Sequence, residues 1–97
     1  MHDQIVVKNQ VFGMITDEQV LDETFDCICG LAYPTMANTE EVAGVPLFDS
    51  MIQQELLHQN VFAFYMSLCH EEKSELTFGW YDETKYRGDI IWHPVVF

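Results

Sequence analysis

Cysteine and histidine are the residues of this sequence that could do chemistry. Cys27 and Cys29 stand two apart in "FDCICGLAYP", Phe25 to Pro34, while Cys69 precedes His70. Alternate positions of a strand share one face, but they lack the turn that aims two ligands at one ion, and structural zinc sites use C-x2-C or longer knuckles. The spacing therefore predicts buried, inert thiols, with no metal and no cofactor. An odd number of cysteines leaves one unpaired in any monomeric disulfide scheme and does not describe a closed secreted framework. His58, near a predicted helix end, and His93, before Pro94, have no nucleophile close in sequence and are expected at the surface or at caps.

The chain that must position these residues is 97 residues long, 48% hydrophobic and 13% aromatic, enough for one domain with a modest core. Its formal charge of -12 argues against nucleic acid and anionic membrane as partners, because both require a basic face to neutralise phosphate. No segment is apolar for long enough to span a bilayer. "MHDQIVVKNQVFG" has no basic region followed by a continuous apolar run, so no signal peptide is expected. None of Asn9, Asn38 and Asn60 begins a glycosylation sequon.

Periodicity predicts short strands and one helix. Gln4 to Val7 and Gln10 to Ile15 form a hairpin about Lys8-Asn9, Thr16 to Thr24 a solvated connector, and Phe25 to Leu31 a short buried strand. Asn38 to Gly44 is polar and turn-like. Leu47, Phe48, Met51, Ile52, Leu56 and Leu57 recur at helical spacing, which predicts a helix from Leu47 to Leu57 with Pro46 in its first turn. "VFAFYMS", Val61 to Ser67, is expected as a buried strand, "CHEEKSE" as a charged hairpin loop, and "LTFG" as the returning strand. "YDETKYRG" follows as a turn, and "DIIWHPVVF" as a last strand that Pro94 confines to an edge or an end. No internal repeat or domain boundary is visible.

"VFG" at Val11 to Gly13, "FDCICGLAYP", "GVPLFDSMIQQELLHQNVFAFYMS", "SELTFGWYD" and "YRGDIIWHPV" occur in the order and approximate spacing of the pepsin-like aspartic endopeptidases. The resemblance covers nearly the whole chain and looks closest to the cathepsin D and cathepsin E branch. It implies a mainly β fold with one short helix, an incomplete pepsin-like (acid protease) β-barrel lobe. Residues 1–97 would be a partial peptidase domain: the end of the amino-terminal lobe, the interlobe connector and the first strands of the carboxy-terminal lobe.

That family hydrolyses peptide bonds with two aspartates, one per lobe, each in an Asp-Thr-Gly or Asp-Ser-Gly turn. The two carboxyls share a proton, because like charges so close cannot both ionise, and together they activate a water. None of the aspartates here, at 3, 17, 22, 26, 49, 82 and 89, is followed by Thr-Gly or Ser-Gly. Asp49-Ser50 comes nearest, but Met51 replaces the glycine and a helix begins there. The resemblance places the flap hairpin upstream of Met1. No catalytic residue is therefore expected in this chain.

By the same resemblance Phe25 and Ile28 line substrate pockets on the amino side of the cut, with an ordinary core role as the alternative. Cys29 and Gly30, with Ile28, occupy the segment that passes beside the catalytic loop and braces it. Cys27 departs from the family, which usually has glycine there, and Trp80 stands where the family usually reads a second glycine. Two functions follow as expectations: a fragment of an aspartic endopeptidase, inactive by itself, whose parent cleaves peptide or protein substrates at acid pH; or a non-catalytic peptide- or protein-binding fragment. The resemblance implies a lysosomal, endosomal or secreted location, and open strand edges imply self-association of the isolated chain.

Overall fold

The computed structural model describes residues 4–17, 24–37 and 44–96, and the chain divides into two units, Met1–Leu57 and His58–Phe97. The expectation of a largely non-helical chain with one short helix holds. Regular structure among the described residues comprises that helix, one two-stranded sheet and two single turns of 3-10 helix. The predicted turn at 38–44, apart from Gly44, and most of the predicted connector at 16–24, namely 18–23, lie outside the described residues.

The first unit is organised by helix α1, Leu47–Gln53. Pro46 precedes the first turn as its cap, with φ -59° and ψ 155°, and its carbonyl accepts from Ser50 N–H at 2.9 Å. A residue that has no N–H to lose suits that place. Met51, 6% exposed, and Ser50 are buried, while Leu47, Phe48, Ile52, Leu56 and Leu57 are half-buried, as the apolar spacing predicts. The helix is shorter than expected. Glu55 turns into the left-handed region at φ 54°, so that its N–H reaches Ile52 O at 3.0 Å and Leu56 N–H reaches Met51 O at 3.1 Å. Paired closing bonds of this kind satisfy the last helical carbonyls and end the helix at Gln53, although the apolar pattern continues to Leu57.

The predicted hairpin about Lys8-Asn9 is present only as a turn. Asn9 adopts φ 58°, but no ladder forms between 4–7 and 10–15. A two-stranded ribbon needs a buried face to hold its register, and here Phe12 and Met14 both face solvent. The chain is tied instead by side chains. Gln54 exchanges two hydrogen bonds with the Lys8 backbone, and Gln10 Nε2 donates to Val11 O at 2.9 Å and Val45 O at 2.8 Å.

Residues 25–31 were expected to be a buried strand, and this too is corrected. They pair with no strand among the described residues, and 24–30 are exposed throughout. Beyond them, Pro34–Met36 form a 3-10 turn that no residue spacing predicts, with Met36 N–H on Tyr33 O at 3.0 Å.

In the second unit β1, Phe62–Tyr65, pairs antiparallel with β2, Glu75–Phe78, in the register Phe62↔Phe78 to Tyr65↔Glu75. Gly79 N–H to Val61 O at 2.7 Å and Gln59 N–H to Gly79 O at 3.2 Å carry the pairing past the strand ends. Both strands and the polar loop between them fall where the sequence places them. The expected burial does not: β1 is half-buried and Phe64 is exposed, since a lone pair of strands covers neither of its faces completely. Gly79, at φ 86° and buried, ends β2 in a conformation that a side chain would oppose. Asp82 caps the 3-10 turn Glu83–Lys85. The predicted last strand is not formed over 89–96: those residues are exposed and pair with no strand among the described residues, and Pro94 removes a donor from the run.

Candidate functional site

Described residues of each unit line an open depression. That of the first unit is an apolar groove of about 860 Å³ whose walls come from Gln10 to Ile15, Asp26 to Gly30, Ala37 and Gly44 to Leu47. Its shape depends on a close approach. A Cβ on Gly44 would stand 3.0 Å from Val11 Cβ, so a larger residue requires Val11 to give by a few tenths of an ångström. Gln10 holds the same junction by its two bonds from Nε2, while its Oε1 is buried without a partner.

Ile28, Cys29 and Gly30 all lie on this groove, together with Cys27, whereas Phe25 is not part of its wall. Ile28 is 72% and Phe25 45% exposed, so neither has the core role that was their alternative. A Cβ on Gly30 would meet nothing within 4 Å. The thiols were expected to be buried and inert, and the structure corrects this: Cys27, Cys29 and Cys69 are all free and exposed. The physical reason is the unformed strand. Without a ladder partner, the segment has no sheet beneath which to tuck alternate side chains. Gln10 and Gly44 were not anticipated as site residues. The one signal available was a polar glutamine opening an otherwise β-branched run.

The groove's chemistry is limited. Among the described residues Asp26 is the sole carboxylate on its wall and no histidine lies there, so these residues supply neither two carboxyls to share a proton nor a base beside a nucleophile. Asp49 is half-buried in the first turn of α1, where it complements the positive end of the helix. No cluster of three or more His, Cys, Asp or Glu residues that could hold a metal occurs among the described residues. No helix described is long and apolar enough to cross a membrane.

The depression of the second unit, about 240 Å³, is lined by Tyr65, Glu75, Asp82, Lys85 and Tyr86 among others. Tyr65 Oη donates to Glu72 Oε1 at 3.0 Å, Lys85 Nζ lies 3.6 Å from the same oxygen, and that ammonium stands 4.5 Å from the Tyr65 ring centre. The Glu72 hydrogen bond, which the phenol can make only while protonated, raises the Tyr65 pKa above its ordinary value. Desolvation raises that of Tyr86. Asp82 is shifted the other way: its Oδ1 accepts from Thr84 Oγ1 at 2.6 Å and Thr84 N–H at 2.9 Å, and both bonds favour the carboxylate.

Comparison with known proteins places this geometry in context. Residues 2–97 match the sequence model of a family described as eukaryotic aspartyl protease. A pregnancy-associated glycoprotein of Equus caballus is 41% identical over 95 residues, which are 94% of this chain and 24% of that protein. Cathepsin E-B of Xenopus laevis is 39% identical over 97 residues, covering 94% of this chain and 23% of that protein. Chymosin of Callithrix jacchus is 39% identical over 94 residues, again 94% of this chain and 24% of its own length. The chain thus spans about a quarter of the length of the curated relatives it matches, and these relatives spread over several branches rather than marking one.

Proposed function

The chain belongs to the eukaryotic aspartyl protease family, and we propose that it is a non-catalytic segment of a pepsin-like endopeptidase: the end of the amino-terminal lobe, the connector and the first strands of the carboxy-terminal lobe. The observation that carries this proposal is the ordered set of family blocks without an Asp-Thr-Gly or Asp-Ser-Gly turn among them. The division of the chain at Leu57 and His58 supports a boundary between two bodies. On this proposal peptide-bond hydrolysis at acid pH belongs to the whole protein, in a lysosomal, endosomal or secreted setting. Ile28 and Phe25 contribute to its substrate pockets, and Cys29 and Gly30 to the support of its catalytic loop.

The test is cleavage of a denatured protein at acid pH by the purified chain, with and without pepstatin. No pepstatin-sensitive cleavage is expected. Turnover that survives repurification and is abolished by Asp49→Asn would overturn the proposal. Asp-Thr-Gly turns in frame on both sides of the coding sequence would support the parent enzyme.

The apolar groove favours a second reading, a fragment that binds peptide or another chain without cutting it. Open edges on β1 and β2 and exposed Phe64, Ile91 and Trp92 also favour self-association of the isolated chain. Because the charge of -12 opposes association at neutral pH, light scattering should rise as the carboxylates are protonated. A monomer at both neutral and acid pH would exclude self-association.

A further inference from the structure

Neither peptide-bond hydrolysis by the whole protein nor peptide binding by the fragment uses the thiol chemistry of Cys27 and Cys29. They are free, exposed, separated by one residue, and both on the wall of the first unit's groove. In a fully extended segment residues two apart have Cα atoms about 6.6 Å from each other, at the upper end of the roughly 4.4–6.8 Å that a disulfide spans. No ladder among the described residues holds 25–31 extended, so a slight contraction brings the thiols within bonding reach. Cys69, in the other unit, has no cysteine near it in sequence.

We propose that Cys27 and Cys29 form a reversible dithiol–disulfide pair that exchanges with low-molecular-weight disulfides, cationic ones above all. One thiol loses its proton to water and, as thiolate, attacks a sulfur of the small disulfide. A mixed disulfide forms and one small thiolate leaves. The second protein thiolate then attacks the cysteine sulfur of that mixed disulfide, closing the Cys27–Cys29 bond and releasing the other small thiolate. The two small thiolates take up the two protons, so the protein is oxidised by two electrons and the small disulfide is reduced to two thiols. Closing so short a loop near the geometric limit makes the protein disulfide readily reducible, which is what reversibility requires. Charge selects the reagent. Asp26 immediately precedes Cys27 on the same wall, and the chain carries -12, so a dication is concentrated at the groove and a dianion repelled.

The experiment uses the full chain carrying Cys69→Ser, incubated with cystamine and, separately, with glutathione disulfide, and followed by intact mass. With cystamine the expected product has lost two hydrogens and carries no adduct, and dithiothreitol restores the starting mass. Adding Cys29→Ser, with an unchanged circular dichroism spectrum, should instead leave a stable mixed disulfide on Cys27. Cystamine should react about tenfold faster than glutathione disulfide at low salt, with the gap closing at high salt. Adducts on both sulfurs of the dithiol chain, disulfide-linked dimers, or thiols that react only in denaturant would each overturn the pair. Equal rates for the two reagents at low salt would overturn the charge selection.

Discussion

The side-chain amide of Gln54 is paired with the backbone of Lys8 as a strand would be: Lys8 N–H donates to Gln54 Oε1 at 3.0 Å, and Gln54 Nε2 donates to Lys8 O at 2.8 Å. The residue just past helix α1 thereby holds the segment before the Asn9 turn, 46 positions away in sequence. Gln54→Ala should lower stability by about 1–2 kcal/mol, the sum of two modest hydrogen bonds whose backbone partners can turn to water. Gln54→Glu keeps one acceptor but loses the donor to Lys8 O, so it should fall between wild type and alanine. Urea midpoints order the three proteins, and an unchanged midpoint for alanine would show that the pair does not tie the unit together.

Glu55 is a second lever on the same helix end. At φ 54° a residue with a Cβ is strained by about 1 kcal/mol, which glycine avoids. Glu55→Gly should therefore raise the midpoint, and Glu55→Val should lower it. A loss of stability in the glycine variant would mean that the closing turn at Leu56 is not formed.

Met51 is the buried apolar residue of the described core. Burying an unpaired aspartate there costs several kcal/mol against a total stability of roughly 5–15. Met51→Asp should abolish the helical circular dichroism of the first unit. Leu56→Asp, at a half-buried position, should weaken it less.

Asp82 makes the second unit sensitive to acid. Its folded pKa lies below the ordinary 3.8, chiefly through the hydrogen bond from the Thr84 hydroxyl and then that from the Thr84 N–H. For a carboxyl depressed in this way the stabilisation is complete above the unfolded pKa and is lost as pH falls through the folded one. The Thr84 amide resonance should hold its position down to about pH 4 and move only below it. Asp82→Asn should remove that transition while keeping the cap; a transition centred above the ordinary aspartate value would contradict the assignment.

What could be read from the sequence is local in origin. The start of α1 at Leu47 follows from Pro46 and the apolar spacing, the β1 and β2 strands from aromatic and β-branched runs around a polar loop, and the missing dyad from the absence of two tripeptides. Each is set by neighbours a few positions away, and the family blocks are of the same kind. The tertiary structure decided what depends on partners distant in the chain. Phe25 to Leu31 has the composition of a buried strand, but a strand is buried only when another element lies against it and hydrogen-bonds its edge. Here none of the described elements does, so two thiols expected in a core stand exposed on a groove. The end of α1 was hidden for a different reason. Its apolar pattern runs on to Leu57, while the chain turns at Glu55, a residue type that gives no warning of a positive φ. Gln54 and Gln10 were unreadable for a third: a glutamine pairs with whichever backbone the fold brings to it, and Lys8 and Val45 are brought there by tertiary folding alone.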